Sequence, residues 1–542
     1  MKKLKMILAL VLVACLFVTL FAACAKDETK PNNDAGNNGA SNNDAGNNDA
    51  GNNDAGNNDA SNNDASNTNT PVEDEEPTEI IFYYNDMRAR GGDHGERVGA
   101  AIDAYCREKI NVGVDVVYCA PADWSNKVVA GLSAGERMDV LCLGGNAIAS
   151  YYAKGLLMDV TDYLNEYTSE ALELVKDYMG PYTYGGRLYS LPTLRNYAKN
   201  GYILFNKDIL EEYGLVEQAQ AIDSWSDYDA VMQAMLDKGI VTEKGIYPTR
   251  GATGDFPTSN YVSHGDSFSE MEVFDNLGDR TFMVYCDQDG KVGLYPENDG
   301  FVYEIKLMAD WAAKGYVWPE SSITTELVDD CVRNGYIASY IGGSEIGVDV
   351  TKSGTWKIPC LAVQTASAMI KTSQPMFTGI GVPYTCEEPE AACKFLNLMY
   401  TDSKLMNMLV WGVEGEDYSV VDGEVVHDKE SYFLGIDFLM GNSLLLTPLE
   451  GNGADFYERV KQVNATSPVS QFMGFAIDTT ELDMYIANIS AVTDQYHRAL
   501  FSGGYTPEFY GEYMSKLEAA DVRGYLNAVQ TQLDAWRETN GK

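Results

Sequence analysis

The chain has 542 residues, and its 80 acidic side chains outnumber the 39 basic ones to give a net charge of -41. A protein this acidic repels polyphosphate, which excludes nucleic acid as a general partner. The part beyond residue 77 is about three times as long as a usual domain, which predicts two or three lobes with hydrophobic cores of their own.

The first residues have the pattern of an export signal. Lysines at positions 2, 3 and 5 precede an uncharged stretch over 6–23, and Cys24 follows two alanines. This arrangement resembles the lipobox of bacterial lipoproteins, in which the cysteine is acylated and becomes the first residue after cleavage. It predicts a signal peptide over 1–23 and a lipid anchor at Cys24, on the outer face of the cell membrane. Two alternatives remain, cleavage before Cys15 and an uncleaved helix that barely spans a bilayer.

A repetitive polar segment follows the leader. From Pro31 the chain repeats Asn-Asn-Asp-Ala-Gly with a period of five residues. Because this repeat has almost no apolar side chain to offset the entropy of ordering, residues 24–77 are predicted to be a disordered linker. About 50 such residues reach roughly 40 Å, which suits a tether through a cell envelope. The repeat has no aromatic or basic side chain that would favour a binding array instead.

Residues 79–143 alternate between strand and helix patterns. Strands are predicted at 79–84, 112–118 and 138–143, and helices at 98–109 and 124–132. This βαβαβ order predicts a parallel sheet covered by helices. Ligands bind beyond the carboxyl ends of such strands, so the residues after the first and third strands are candidates for ligand binding. These candidates are Asn85, Asp86, Arg88, Gly145 and Asn146. The alternative for the glycine pair at 144–145 is a simple tight turn.

The cysteines beyond the leader do not form a recognisable motif. Eight are scattered without a Cys-x-x-Cys pair. If the strands that end near Cys119 and Cys142 flank a central strand, they lie about 9 to 10 Å apart, beyond the roughly 7 Å between Cα atoms that a disulfide allows. We therefore predict eight buried small apolar residues or free thiols.

Matches to catalytic and metal-binding motifs are weak. Residues 131–135 fit the Gly-x-Ser-x-Gly pattern of hydrolases, but a predicted helix precedes them and a strand follows, the reverse of a nucleophile elbow. Residues 287–290 resemble part of a calcium loop, yet Tyr285 occupies the first ligand position, so a hairpin turn is the better interpretation. The four histidines lack zinc-binding spacing. We predict no enzyme activity, no metal-binding residues and no cofactor, and the sequence leaves open whether a structural ion is bound.

Several segments resemble one protein family. Residues 184–192 (Tyr-Gly-Gly-Arg-Leu-Tyr-Ser-Leu-Pro) and 201–210 (Gly-Tyr-Ile-Leu-Phe-Asn-Lys-Asp-Ile-Leu) are similar to the first crossing between lobes in family 1 extracellular solute-binding proteins of ABC importers. Residues 134–140 (Ala-Gly-Glu-Arg-Met-Asp-Val) agree with that family. The segments 311–318, 389–402, 411–418 and 474–478 are similar to its lipoprotein branch, often labelled aldouronate or oligosaccharide transporters.

The resemblance covers residues 78–542 and implies a two-lobed α/β fold, the type II fold of periplasmic binding proteins, that closes over a solute like a hinge. The implied lobes are 78–192 plus 384–470 and 198–375 plus 475–542. The implied crossings lie near 192–197, 377–383 and 472–475. The implied function is capture of an oligosaccharide, or another small solute, by a monomer that delivers it to ABC permease subunits.

The implied ligand sets the expected composition of the site. Sugar rings have an apolar C–H face and a rim of hydroxyls, so their sites combine flat aromatic walls with amides, carboxylates and arginine. Arg195 beside Tyr197 is the best polar candidate, because a guanidinium has five donors suited to hydroxyl pairs or a uronate carboxylate. Core packing is the alternative for each aromatic residue. The further candidates are Phe256, Tyr261, Phe377, Trp411, Phe475 and, from the matched C-terminal motif, Asp478.

Two other functions stay open at this stage. One is a surface glycan-binding lipoprotein that is not coupled to import, and the other is an extracellular glycan-cleaving enzyme. Neighbouring permease genes would favour import, and turnover of a glycan by the purified protein would favour the enzyme.

Overall fold

The computed structural model describes residues 76–86, 92–144, 147–251, 261–427, 431–432 and 437–541. The predicted signal peptide, Cys24 and nearly all of the linker lie outside these ranges, as do the candidates Arg88, Gly145, Asn146 and Phe256. Residues 73–542 form one compact unit.

Nine strands of this unit form two sheets. They are β1 (Thr78–Asn85), β2 (Val112–Cys119), β3 (Val140–Leu143), β4 (Ser190–Pro192), β5 (Lys199–Asn206), β6 (Tyr247–Thr249), β7 (Ile337–Ser344), β8 (Cys360–Met369) and β9 (Gly379–Gly381). The first sheet has the order β2-β1-β3-β9-β4 and the second has the order β8-β5-β7-β6. We call the parts built on these sheets the first and the second lobe.

The first sheet confirms the predicted βαβαβ order. β1 pairs in parallel with both β2 and β3, and the helix Gly92–Ile110 connects β1 to β2. Ile80, Phe82 and Tyr84 of β1 are buried because alternate side chains of a strand share one face. Their core includes Phe395, whose ring centre lies 5.3 Å from that of Phe82.

The second sheet is covered on both faces. Ile203 and Phe205 of β5 belong to one hydrophobic cluster, and the alternating Tyr202 and Leu204 belong to another. β5 is antiparallel to both of its neighbours, β7 and β8, whereas β7 is parallel to β6. The carboxyl ends of β6 and β7 therefore lie at the same edge of the sheet.

The chain passes between the two sheets three times. The first passage joins β4 to β5 over 193–198, where a crossing was predicted, and the second joins β8 to β9 over 370–378. The second passage lies earlier than the predicted 377–383, because β9 is already paired with β3 and β4. The third passage follows the helix Phe456–Thr466, where Val469 pairs with Ile370. The predicted residue ranges of the lobes stay a prediction.

The structure describes twenty α-helices, some of which pack on the two sheets and some of which pack on one another. In the first half of the chain they are Gly92–Ile110, Pro121–Trp124, Ala130–Ser133, Ala147–Ala153, Thr161–Tyr167, Ser169–Val175, Lys207–Glu212, Val216–Gln220, Trp225–Asp237 and Ile240–Lys244. In the second half they are Asp299–Ala313, Val328–Arg333, Val348–Trp356, Ser373–Met376, Pro389–Thr401, Ser403–Trp411, Phe456–Thr466, Asp483–Ala499, Pro507–Ala519 and Val522–Asn540. None of the helices described is both long and apolar enough to cross a membrane.

Two smaller predictions can be compared with the structure. The eight cysteines beyond the leader are buried free thiols, and β1 lies between the strands of Cys119 and Cys142. Residues 287–290 connect the antiparallel strands Val284–Cys286 and Val292–Leu294, which confirms the hairpin turn.

Candidate functional site

A cavity of about 430 Å³ lies where the first passage meets both lobes. This volume falls within the usual range for small-molecule sites. The first passage contributes Arg195 and Asn196 to its lining. The second lobe contributes Ser344, Glu345, Ile346, Thr351, Lys352 and Lys357. The opposite wall includes Trp411, His427, Phe438, Asn452, Phe456 and Tyr457, of which Trp411, Phe438 and Tyr457 pack on the core of the first lobe.

The second-lobe wall begins at the end of a strand. β7 ends at Ser344, and Glu345 and Ile346 follow it directly into the cavity. The helix Val348–Trp356 then continues the wall with Thr351 and Lys352. This position is the one at which α/β sheets bind ligands, beyond the carboxyl ends of their strands.

Arg195 is held firmly within the first passage. Its Nη2 donates to the backbone carbonyl of Gln374 at 2.9 Å, and its Nη1 donates to the backbone carbonyl of Asn196 at 3.2 Å. The ring centres of Tyr197 and Phe377 lie 5.6 and 5.8 Å from the guanidinium carbon, which is cation–π distance. Because its side chain is only 6% exposed, Arg195 presents its donors in one fixed geometry.

Glu345 supplies a negative charge at the same place. Its Oε1 lies 3.7 Å from both Arg195 Nη1 and Lys199 Nζ. Burial raises the pKa of the Glu345 carboxyl, but the positive charges of Lys199 and Arg195 outweigh burial and hold this pKa below its ordinary value. The ionised carboxylate is an acceptor for ligand hydroxyl groups.

Lys352 brings a second ion pair to the lining. Its Nζ lies 2.9 Å from the carboxylate of Asp329, which also accepts a hydrogen bond from Trp356 Nε1 at 2.7 Å. The indole and the ammonium fix this carboxylate behind the wall. Lys352 is therefore oriented by the second lobe itself.

Three polar atoms of the lining residues are buried without a hydrogen-bond partner in the described ranges: Arg195 Nε, Asn196 Nδ2 and Asn452 Oδ1. A buried polar group that makes no hydrogen bond costs about 1–3 kcal/mol. These three atoms are enclosed by the protein in the described conformation, so they could reach the hydroxyl groups of a ligand only after a local rearrangement.

Aromatic side chains form much of the first-lobe wall. Trp411 ends the helix Ser403–Trp411, and its Nε1 donates to the backbone carbonyl of Thr447 at 3.1 Å. The chain turns sharply at Gly412, where φ is +90° and an added Cβ would lie 2.4 Å from Asp417 Oδ2. A glycine is therefore required directly after Trp411, because no other residue could follow this turn of the backbone without strain.

Phe438 continues this wall toward the hinge. Its backbone carbonyl accepts hydrogen bonds from the hydroxyls of Thr193 and Thr378, each at 3.0 Å. These threonines lie on the first and second passages, so the position of Phe438 is tied to both. Its ring centre lies 6.4 Å from that of Phe377, which is 42% exposed. Flat apolar faces of this kind suit the C–H face of a sugar.

Five of the predicted ligand-binding residues either line the cavity or lie directly behind its lining. Arg195 and Trp411 line the cavity, and Tyr197 and Phe377 flank the guanidinium. Tyr261 lies behind the site, where its hydroxyl donates to the backbone carbonyl of Lys199.

The other predicted residues in the described ranges lie elsewhere. Asn85 is the last residue of β1 and Asp86 follows the strand, but neither residue lines this cavity. Phe475 is buried in the core of the second lobe, with its ring centre 5.8 Å from that of Trp536. Asp478 lies in an exposed turn and accepts hydrogen bonds from the backbone and hydroxyl of Thr480. In this structure Phe475 is a core residue and Asp478 lies in an exposed turn, and their assignment to ligand binding stays a prediction.

Sequence reasoning identified no residue of the second-lobe wall and, of the opposite wall, only Trp411. Glu345 follows the segment Gly342-Gly343-Ser344 at the carboxyl end of a buried strand, and this signal could have been recognised in the same way as the end of β1. Asn452 and Phe456 carry no comparable signal. Among the residues that the structure describes, no group of three His, Cys, Asp or Glu side chains could hold a metal ion.

Sequence and structure comparisons match this chain to known proteins. A sequence model of the family described as bacterial extracellular solute-binding protein matches residues 100–413, and one for a domain of unknown function (DUF3502) matches residues 471–538. A carbohydrate ABC transporter substrate-binding protein of Streptococcus pneumoniae is 23% identical over 449 residues, which cover 79% of this chain and 85% of that protein.

Solved structures show the same fold. The N-glycan transport solute binding protein of Streptococcus pneumoniae has a TM-score of 0.71 and 19% identity, with 85% of this chain and 100% of that chain covered. A solute-binding protein of Bifidobacterium longum infantis, described as HMO binding, has a TM-score of 0.58 and 17% identity, with 85% and 99% covered. The fold described above is thus that of two-lobed solute-binding proteins.

Proposed function

The chain belongs to the family of bacterial extracellular solute-binding proteins, and on that premise we propose that its cavity binds an oligosaccharide for delivery to the permease of an ABC transporter. Family membership makes the chain a binding protein rather than an enzyme. The observation that carries the proposal is the lining itself, in which aromatic side chains lie opposite an arginine and an ionised carboxylate.

The relatives support a carbohydrate as the solute. The similar protein with 23% identity is named for carbohydrate transport, and the similar N-glycan transport protein has been solved with Man1GlcNAc and with Man5GlcNAc. Both observations concern other proteins. The side chains that line this cavity are chemically suited to the same class of ligand. An oligosaccharide needs stacking faces and converging hydrogen bonds, and this cavity has both.

Each wall has its own role in the proposal. Trp411 and Phe438 stack on the apolar faces of the sugar rings. Arg195 and Asn196 donate to ring or hydroxyl oxygens at the hinge, and Glu345 accepts from hydroxyl groups on the opposite side. Two rigid lobes that close about the three passages then enclose the ligand.

The proposal also includes where the protein is held in the cell envelope. The leader and the Asn/Asp/Ala/Gly repeat support a lipoprotein that is anchored through Cys24 and held away from the membrane by its linker. We propose that the folded unit acts as a monomer outside the cytoplasmic membrane and meets its permease there.

A thermal shift screen of neutral and uronic oligosaccharides tests the ligand class. A glycan at 100 times its Kd should stabilise the protein by about 2.7 kcal/mol. Replacing the lining carboxylate (Glu345→Gln) should reduce this shift, whereas Glu387→Gln, at an exposed glutamate paired with Arg137, should not. A panel in which no glycan raises the melting temperature, while a peptide or another small solute does, would remove the carbohydrate from the proposal.

A further inference from the structure

One short segment of the first lobe, residues 178–182, contacts all three passages between the lobes. It lies between the helix Ser169–Val175 and β4. Tyr182 anchors it in the first lobe, where this side chain shares a hydrophobic cluster with Leu141 and Leu143 of β3. No residue of the segment is among those that line the cavity. The proposed contacts to a sugar therefore do not account for its position.

Tyr178 makes the contact with the first passage. Its ring centre lies 4.6 Å from that of the buried Tyr197. Both rings belong to a small hydrophobic cluster that also contains Ile370 of the second passage and Met473 of the third. Side chains of the three passages thus share one small core, and Tyr178 joins this core from the 178–182 segment.

Tyr182 makes the contact with the second passage. Its hydroxyl donates to the backbone carbonyl of Thr378 at 2.7 Å and also contacts the backbone carbonyl of Pro375. Its ring packs on the backbone of Gly379, the first residue of β9, where an added Cβ would lie 2.5 Å from Tyr182 Cε1. Because Tyr182 is completely buried, the end of the second passage rests on a fixed side chain.

Gly180 makes the contact with the third passage. An added Cβ on this residue would lie 2.5 Å from the Cα of Gly474. Gly474 lies between Phe472 and Phe475, which are both buried in the core of the second lobe. The backbones of the two lobes therefore touch directly at this pair of glycines. No side chain could be placed at Gly180 without moving one backbone away from the other.

The passages are also tied to one another. The backbone N–H of Ile370 donates to the carbonyl of Pro468 at 2.8 Å, and its carbonyl accepts from the N–H of Ser470 at 2.8 Å. The backbone N–H of Thr193 donates to the carbonyl of Thr378 at 3.2 Å. A displacement of one passage is therefore transmitted to the next.

We propose that residues 178–182 are the pivot of the hinge: they couple the three passages so that these bend as one unit, and the lobes turn about the contact of Gly180 with Gly474. These are positioning residues, because they act on the passages and not on the ligand. The proposal rests on the closing motion in the proposed function, but not on the identity of the ligand.

Hydrogen exchange of the ligand-free chain from residue 25 onward tests the coupling. Gly180→Ala adds a single methyl group, and the backbone of Gly180 is not left-handed, so the main effect is to push the backbone of Gly474 away. Such overpacking should make amide exchange about tenfold faster in the third passage. If the segment couples the passages, residues 193–198 and 370–378 should exchange faster by a similar factor.

The matched control for the added methyl group is Gly511→Ala. Gly511 lies on the helix Pro507–Ala519, its backbone is not left-handed, and an added Cβ would have no neighbour within 4 Å. This variant should keep the parent exchange rates in all three passages. Faster exchange in Gly180→Ala that is confined to the third passage, or no faster exchange at all, would overturn the proposal.

A second variant keeps the test decisive if Gly180→Ala does not fold. Tyr182→Phe removes the hydroxyl from the second passage, and it should speed exchange several-fold in all three passages relative to the rest of the chain. Its control is Tyr228→Phe, because Tyr228 is equally buried and its hydroxyl shares a hydrogen bond with that of Ser339 at 2.7 Å, within the second lobe.

The control Tyr228→Phe should not speed exchange in the passages more than in the rest of the chain. An equal response of the passages to both tyrosine substitutions would overturn the proposal, because it would show only a general loss of stability. No glycan is added in these experiments. Their failure therefore leaves the proposed function untouched, and failure of the glycan screen leaves this test unaffected.

Discussion

The side-chain amide of Asn464 clamps the backbone of the first passage beside Arg195: its Nδ2 donates to the Arg195 carbonyl at 2.8 Å. Its Oδ1 accepts from the backbone N–H of Tyr197 at 3.0 Å. Asn464 lies on the helix Phe456–Thr466, whose first residues line the cavity. One side-chain amide thus links the helix that lines the cavity to the backbone of the first passage.

Replacing this amide (Asn464→Ala) should lower both stability and ligand affinity. The substitution leaves one backbone carbonyl and one N–H without their partner, and each unsatisfied group costs about 1–3 kcal/mol. Urea denaturation measures the first effect, and calorimetric titration with the glycan found in the screen measures the second. Asn527→Ala, on an exposed position of the C-terminal helix, should change stability by no more than about 0.5 kcal/mol. If the two variants had the same stability and the same affinity, Asn464 would not hold the first passage in place.

The parts of the fold that were predictable from sequence depend on local pattern. β1, β2 and β3 alternate with helices over a short stretch, and the alternation of Ile80, Phe82 and Tyr84 indicates a face buried in the core. Arg195 was identified because it lies between two segments that resemble the family motif. In both cases the information is contained in neighbouring residues.

The far walls of the cavity could not be predicted in this way. Glu345 and Asn452 are brought together only by the packing of the two lobes, and neither has a sequence neighbourhood that points to the other. Phe475 is the converse case, a residue that the sequence placed in the site and that the structure places in the core. An aromatic residue near a crossing has the same pattern whether it faces a cleft or the core, and only its contact with Trp536 decides between them.

The guanidinium at the hinge should distinguish charged from neutral sugars. Hydrogen bonds to a charged partner are about twice as strong as those between neutral groups, so Arg195→Ala should weaken a uronic oligosaccharide more than its neutral analogue, by about tenfold. Titration of both ligands into both proteins measures the difference. Arg187→Ala is the control, because Arg187 is exposed and paired with Asp159 and Asp162. An equal loss of affinity for both sugars would show that an ion pair between Arg195 and a uronate does not determine specificity.

Gly347 of the second lobe lies against Asn452 and Phe456 of the opposite wall, and we call this the rim contact. It should be needed for the two lobes to close over the ligand. The φ of Gly347 is +76°, and an added Cβ would lie 2.5 Å from Asn452 Oδ1 and 2.7 Å from the ring of Phe456. Gly347→Ala should therefore hold the rim apart and weaken glycan binding by about tenfold, in addition to the roughly 1–2 kcal/mol cost of a left-handed alanine.

Gly335→Ala separates these two effects. Gly335 has a similar φ of +72°, but an added Cβ would have no neighbour within 4 Å. Both variants should be destabilised by a similar amount, and only Gly347→Ala should bind the glycan more weakly. Weaker binding in both variants would show that backbone strain, and not the rim contact, is responsible.

His497 should contribute to acid sensitivity in the second lobe. It is buried, with its Nε2 2.6 Å from the hydroxyl of Tyr513, and burial lowers its pKa to about 3. The unfolded chain takes up this proton near pH 6.5, whereas the folded protein does not. As the pH falls from about 6.5 toward 3, the free energy of unfolding should therefore decrease by about 1.4 kcal/mol per pH unit through this group.

Urea denaturation of His497→Gln at several pH values measures this contribution. Carboxylates also titrate below pH 5, so the relevant quantity is the difference in slope between the variant and the parent. The variant should have a shallower slope from about pH 6.5 downward, even if its stability at neutral pH is lower. Asn527→Ala, at the exposed and uncharged position on the C-terminal helix, should keep the parent slope. A His497→Gln slope equal to that of the parent would show that His497 becomes protonated equally in the folded and unfolded states.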